Sequence, residues 1–367
     1  MRASIAVALA AAMTTGCAIG RTERSWPVMG TYARVAAEGG SRAARERAID
    51  AARLAFDGVD ASMSNWSETS ALSRVNREAR HGAARVDDAG LAACLAASLD
   101  AADATGGAFD PTVGPLMTLW GFRPRRPRVP ADDEIAAALA HVGRSRVAYD
   151  RSARTLRFDD PGMEIDLGGI AKGCALDVAA ARIPRAAGEA ALAVTLDLGG
   201  GMLAIGAKGG STFLIADPES AERAPVAAVT APRDSSVASS SDAENRFESG
   251  GRLYGHIMDA RTGRPAVTDV LQATALHPSA TTTDLLSTAL FVAGSRGAPG
   301  ILDRYPGAEA ILIVREPGGL AMIASASLEG RLSIEPSARS RFTAGSPRFA
   351  LPPATMRGRS PRTGGSP

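Results

Sequence analysis

Between Ile165 and Gly173 the chain reads Ile-Asp-Leu-Gly-Gly-Ile-Ala-Lys-Gly. An apolar run ends, two glycines permit a tight turn, and a helix-forming stretch begins. Free N–H groups at a helix start suit a phosphate, and Lys172 adds a compact positive charge. Asp166, at the strand end, suits hydrogen bonds from a ribose or a base; the plainer reading is an ordinary glycine turn. Farther on, Thr283-Asp284-Leu285-Leu286-Ser287-Thr288 puts Asp284 and Thr288 four apart, on one helical face with Ser287 beside them. One carboxylate with hydroxyls is the hard oxygen set that Mg²⁺ takes, with waters and phosphates completing the shell. The alternative is a helix-start acid with hydroxyls bonded back to their own backbone.

Two further stretches carry candidates. In Tyr254-Gly255-His256-Ile257-Met258-Asp259-Ala260-Arg261-Thr262-Gly263, a histidine precedes a turn, where it suits a base or a phosphate contact. Gly107-Ala108-Phe109-Asp110-Pro111-Thr112 and Leu119-Trp120-Gly121-Phe122 collect three aromatics in an aromatic-poor chain. They suit either a planar ring or a local core, and composition favours the core. Other chemistries lack their marks. No GxSxG elbow supports a serine hydrolase, although Ser239-Ser240-Ser241 would offer a nucleophile if the fold brought His256 near. No GxGxxG follows a strand, and no Walker A sequence occurs. No CxxC or Cys/His cluster suggests zinc.

The elements that position these residues follow from periodicity. Val28 to Ala36 reads as a strand. Ala43 to Asp60 and Asp87 to Ala104 read as helices, the second with Leu91, Leu95 and Leu99 at four-residue steps. Met63 to Arg74 is turn-rich and passes into a short helix. Asp132 to His141 is helical, and Arg146 to Tyr149 with Thr155 to Phe158 forms a hairpin. Met163 to Leu167 reads as a strand feeding a helix over Ala171 to Ile183. Strands divided by glycines fill Leu192 to Thr230, Thr283 to Ala293 is helical, and two strands flank Pro317-Gly318-Gly319. Without a regular βαβ alternation, the class is α+β. The folded domain is expected over residues 26–334; the Ser, Pro, Arg and Gly composition of 335–367 predicts a disordered tail.

The 367 residues carry 41 basic and 39 acidic side chains, for a net charge of +2, so nothing argues for a nucleic-acid partner. Hydrophobic residues make up 45% and aromatics 4%, which predicts a core of Ala, Leu, Val and Ile. Only Lys172 and Lys208 are lysines; Lys208 reads as a solvated turn residue. Arg2 followed by the apolar Ile5 to Met13 reads as an export signal over residues 1–17. Thr15-Gly16-Cys17 resembles the end of a lipobox, although Thr14 stands where Leu is usual, and predicts a lipid anchor at Cys17 rather than a plain cleaved signal. No later apolar run reads as a membrane span. Cys94, in an Ala/Leu-rich helix, reads as a small buried hydrophobe.

Taken in order, these motifs resemble the ApbE family of FAD:protein FMN transferases, from Met29-Gly30-Thr31 to about Val314. The markers are Met63-Ser64 through Ser73-Arg74-Val75-Asn76, Phe109 to Leu116, Asp166 to Gly173, His256-Ile257 with Asp259 and Thr262-Gly263, and Asp284 to Ala289. The resemblance implies an α+β fold of two lobes with FAD in a cleft between them. It implies FAD contacts at Met29, Trp66, Ala108, Phe109, Asp110, Asp166, Lys172 and the backbone near Met258. Mg²⁺ is implied at the Gly169 backbone, Asp284, Ser287 and Thr288, and His256 is implied as the proton-handling residue. FMN would pass to a Thr or Ser hydroxyl of a membrane-associated electron-transport protein, with release of AMP, in an anchored, periplasmic setting at the inner membrane. The sequence departs from the pattern at Gly255, where Ser is usual, at Ala260 for Pro, at Cys174 for an aromatic, at Ser239-Ser240-Ser241 for Thr-Ser-Gly, and at Gly201 for Asn. These departures leave two rivals: an FAD-binding lipoprotein with little transfer, and an FAD diphosphatase giving FMN and AMP.

Overall fold

The computed structural model describes residues 20–353, apart from 189–191, 207–209, 221 and 244. The export segment with Cys17, and Lys208, lie outside the described residues. Nine strands form one sheet whose spatial order follows the chain: β1 (Arg21–Val28), β2 (Thr31–Glu38), β3 (Ala193–Leu198), β4 (Gly201–Ile205), β5 (Ser235–Ser241), β6 (Val270–His277), β7 (Glu309–Glu316), β8 (Gly319–Ser325) and β9 (Arg348–Leu351). Every neighbouring pair is antiparallel except β8 with β9. Helices enter as insertions into this meander. The link from β2 to β3 carries α1 (Arg42–Met63), α2 (Ala71–Ala79), α3 (Ala89–Ala104), α4 (Gly114–Leu119), α5 (Asp132–Leu139) and α6 (Ala171–Ala187); the link from β6 to β7 carries α7 (Ala280–Leu302). This is the α+β class expected from the sequence.

Alternation along the strands divides the core in two. Val194, Leu196 and Leu198 of β3 join Phe56 of α1, Leu176 of α6 and Leu286 and Leu290 of α7 on the helical face. Met202 and Ala204 of β4 turn to the opposite face. There Phe213, Ile215, Val229 and Ile334, from a three-stranded sheet of Ser211–Ala216, Pro225–Ala231 and Leu332–Ile334, cover them. The third cluster is small: Leu116, Trp120, Ile135 and Met258, with Phe122, Phe247 and Tyr254 packed against it. Trp120 and Phe122 thus serve a local core, as composition favoured.

Several expectations need correction. Val28 to Ala36 is not one strand: Met29 and Gly30, at φ 51° and 70°, turn the chain between Val28 and Thr31. Two left-handed residues in a two-residue loop match the twist of the flanking strands, which no periodicity reveals. Met163 to Leu167 joins no ladder. Its polar backbone is met by side chains instead: Asn76 accepts from Ile165 N–H and donates to Ile165 C=O, both at 2.9 Å, and Asn65 donates to the same carbonyl.

Residues 335–353 are not outside the fold. Pro336–Arg341 forms a 3₁₀ turn, and β9 covers the β8 edge with Leu351 buried. Composition missed this because one alternating run, Arg348–Leu351, suffices to pair an edge. Helix α7 is long and apolar enough to cross a membrane by length and composition, but it lies in the core, kinked at Gly294. Cys94 is buried, yet it is not a mere hydrophobe: it forms a disulfide with Cys174, tying α3 to the first turn of α6.

Candidate active site where two helices meet

Helix α6 begins where the Gly168-Gly169 turn ends, and Ala171 N–H bonds to Leu167 C=O at 2.8 Å. Its first turn is pressed against α7. A Cβ at Gly173 would lie 2.3 Å from Ala280 O and 2.8 Å from Asp284 Cβ, so only glycine fits. Through this contact Gly173 N–H donates to Asp284 Oδ2 at 2.9 Å. Asp284 is buried, and its Oδ1 stands 3.9 Å from Lys172 Nζ. One turn on, Asp177 accepts from Ser279 Oγ, Ala280 N and Thr281 N, capping α7 from α6. The two helix starts are therefore fixed relative to each other by backbone-directed bonds.

Hydroxyls gather on the next turn of α7. Ser287 Oγ donates to Asp284 C=O at 2.8 Å, the back-bonding of the plainer reading, and also lies 2.8 Å from Ser240 Oγ of β5. Thr288 Oγ1 is 3.3 Å from the same Ser240 Oγ. A Cβ at Gly169 would lie 3.4 Å from Thr288 Oγ1 and 3.1 Å from the Phe109 ring, which places the Gly169 backbone at this cluster. Asp284, Ser287, Thr288 and Gly169 are thus brought together as expected. Among the described residues no group of three or more His, Cys, Asp or Glu forms a metal cluster. A single carboxylate with hydroxyl and carbonyl oxygens fits Mg²⁺, which keeps several waters and takes the rest of its shell from phosphates. It does not fit zinc. Ser239 Oγ pairs with Thr274 Oγ1 at 2.8 Å, so Ser239 and Ser240 are committed to other hydroxyls.

The remaining candidates sit on surrounding loops. Asp166 Oδ1 accepts from Gly168 N–H at 2.8 Å, and its Oδ2 is ion-paired with Arg123 Nη1 at 3.2 Å. Asp110 caps a 3₁₀ turn, accepting from Thr112 N and Oγ1 and from Arg144 N. Its carboxylate is engaged in holding the loop, with Ala108 and Phe109 buried beside it. Met29 holds a positive φ while its N–H reaches Asp60 Oδ2 at 3.3 Å. Trp66 is 60% exposed, with Arg125 Cζ 5.9 Å from its ring centroid. Met258 is buried and pairs with Pro265. His256 meets the Phe122 ring edge-on at 6.5 Å. The Gly255 departure has a steric cause, since a Cβ there would lie 2.7 Å from Asp242 Cβ.

Sequence reasoning missed Arg123, Asn76 and Asp177. Arginine is the default cation of this chain, and nothing in the order of residues marks one as buried. Asn76 stood inside a recognised motif without a role, and Asp177 lies mid-helix, where an acid reads as solvated.

An α+β meander that sets a glycine-turn helix start against a buried carboxylate and hydroxyls has the makings of a nucleotide-handling protein. The ApbE family model matches residues 29–312, and the chain belongs to that family. It is 34% identical over 262 residues to the FAD:protein FMN transferase of Treponema pallidum, covering 67% of this chain and 71% of that one. It is 30% identical over 299 residues to the FAD:protein FMN transferase of Haemophilus influenzae, covering 80% and 85%. Among solved structures, the ApbE protein of Thermotoga maritima superposes with a TM-score of 0.72 at 28% identity, over 88% of this chain and 99% of that one. The flavin transferase ApbE of Vibrio cholerae gives 0.73 at 28%, over 85% and 99%.

Proposed function

We propose that this protein is a Mg²⁺-dependent FAD:protein FMN transferase. The observation that carries the reading is the junction of α6 and α7, where the buried Asp284 is aimed by Gly173 N–H and faces Lys172, with the Ser240, Ser287 and Thr288 hydroxyls alongside. The family's named activity on close relatives supports the flavin and the acceptor. Asp284, Ser287, Thr288 and the Gly169 backbone would hold Mg²⁺, which offsets charge on the diphosphate when bound. Met29, Trp66, Ala108 to Asp110, Asp166, Lys172 and the backbone at Met258 would contact FAD.

The reaction balances simply. An acceptor Thr or Ser oxygen forms a bond to the flavin-side phosphorus, the anhydride bond breaks, and AMP leaves. Lys172, at the start of α6, opposes the charge of the phosphates. His256 takes the hydroxyl proton. We place the acceptor on a membrane-associated electron-transport protein and the enzyme outside the cytoplasm, tethered through Cys17. The Cys94–Cys174 disulfide supports an oxidising compartment.

The test incubates purified protein with FAD, Mg²⁺ and a threonine-bearing acceptor domain. Covalent flavin on the acceptor with stoichiometric AMP is the expected result. FMN and AMP without labelling would establish a diphosphatase instead. Intact FAD left bound would establish a flavin-binding protein without transfer.

A further inference from the structure

One turn between α4 and α5 reaches two of the proposed FAD contacts, and neither reach follows from the family motifs. Arg123 is buried, with its side chain 10% exposed. It donates to Glu164 Oε1 at 2.5 Å and to Asp166 Oδ2 at 3.2 Å, and reaches Thr118 Oγ1 at 3.3 Å. Its backbone N–H bonds to Met117 C=O at 3.1 Å, and Arg126 N–H closes the turn onto Gly121 C=O at 2.9 Å. Two residues on, the exposed Arg125 lies against the face of Trp66. Gly121 is required where this turn folds back: at φ 73°, a Cβ would lie 1.9 Å from Arg126 O.

We propose that the Arg123–Arg125 turn is a positioning clamp for the flavin dinucleotide, in which Arg123 fixes the Asp166 carboxylate and Arg125 fixes the Trp66 ring. The inference rests on the flavin-binding reading above. Asp166 and Glu164 lie two residues apart on a segment without ladder bonds, so their carboxylates would repel each other and any diphosphate. One guanidinium bridging both removes that repulsion and sets the direction of Asp166. Glu164 is held from its far side as well, by Arg80 at 3.4 Å. Trp66 has no enclosing core to orient it, and a guanidinium on its face supplies that orientation at modest strength. Ordering both contacts before FAD arrives removes part of the cost of binding it.

The test measures FAD affinity in the full chain with Mg²⁺ present. Arg123→Lys keeps the charge but loses the two separate guanidinium nitrogens that meet Asp166 and Glu164, and should weaken FAD binding about tenfold, the loss expected for one charge-assisted hydrogen bond. Arg125→Ala alters only an exposed side chain, so its folding is secure; it should weaken FAD several-fold, by about the strength of an exposed cation–π contact. Trp26 and Trp120 are buried, so iodide quenching of tryptophan fluorescence reports on Trp66. It should rise in Arg125→Ala at an unchanged melting temperature, which a merely structural role would not produce. Wild-type FAD affinity in both variants overturns the clamp. A wild-type protein that binds no FAD overturns the flavin reading itself, before any variant is made.

Discussion

Asp284 does two jobs with one carboxylate. Oδ2 accepts from Gly173 N–H and fixes the α6 start, leaving Oδ1 3.9 Å from Lys172 Nζ. Asp284→Ala should therefore abolish Mg²⁺-dependent transfer and also the rise in melting temperature that Mg²⁺ with FAD gives the wild type. Full activity in that variant would sink the metal assignment. His256→Ala tests the other half of the chemistry. Removing a positioned base should lower kcat by about 10²–10⁴-fold and leave FAD affinity intact; an unchanged kcat would move the proton role elsewhere. Residue types in order were enough to single out Asp284, Ser287, Thr288 and Lys172 as candidates, because a carboxylate with hydroxyls on one helical face is a local pattern; Gly169 as a metal contact entered only through the family resemblance. Arg123 was not legible, since its partners Glu164 and Asp166 lie more than forty residues away and only the fold joins them. Nor could the sequence tell that the Asp110 carboxylate holds its own loop through Thr112 and Arg144.

Helices were the most legible elements, because apolar spacing states both their presence and their buried face. The glycine-turn start of α6 was also readable. What spacing could not give is how α6 is held. Gly173 against α7, Asp177 on the α7 N-terminus and Cys174 bonded to Cys94 converge on its first two turns. The disulfide spans 80 residues. Closing a loop of that length stabilises by up to about 4.5 kcal/mol in the chain-entropy account, and measured values are commonly about 2–4. A Cys94→Ala/Cys174→Ala double variant should lose stability of that order in urea unfolding. A loss below about 0.5 kcal/mol would show that α3 and α6 are held by packing alone. The strand miscounts have a physical origin as well: the Met29-Gly30 turn rests on two left-handed residues that periodicity does not mark, and the ladder-free Met163 to Leu167 depends on Asn65 and Asn76, distant in sequence.

At the scale of the molecule, the sheet must serve two cores, and its far face carries a cost unrelated to the site. Asp197 of β3 lies opposite Met202 on the face covered by the small sheet. Burial pushes its carboxyl up from 3.8 to about 7, only partly opposed by the Arg34 guanidinium on the adjacent strand. The folded chain therefore holds this proton more tightly than the unfolded chain. Its contribution is fully present below about pH 4 and is lost as pH rises toward about 7, where a buried charge must be kept. The shift of about three units corresponds to roughly 4 kcal/mol at most. Asp197→Asn keeps the shape without the charge, so it should raise the melting temperature at pH 8 and leave it nearly unchanged at pH 4, measured by calorimetry. An equal effect at both pH values would show that Asp197 is not protonated in the fold. The same sheet ends on an edge that composition gave no reason to protect. β9 lies along β8, and Leu351 is buried there. A chain ending at Glu335 leaves the β8 edge unpaired and Leu320 and Met322 under-covered, a template for strand pairing between molecules. Compared with a chain ending at Pro353, it should melt lower and aggregate in light scattering at micromolar concentration. Equal melting temperatures and monodisperse solutions for the two would mean that β9 covers the edge without stabilising it.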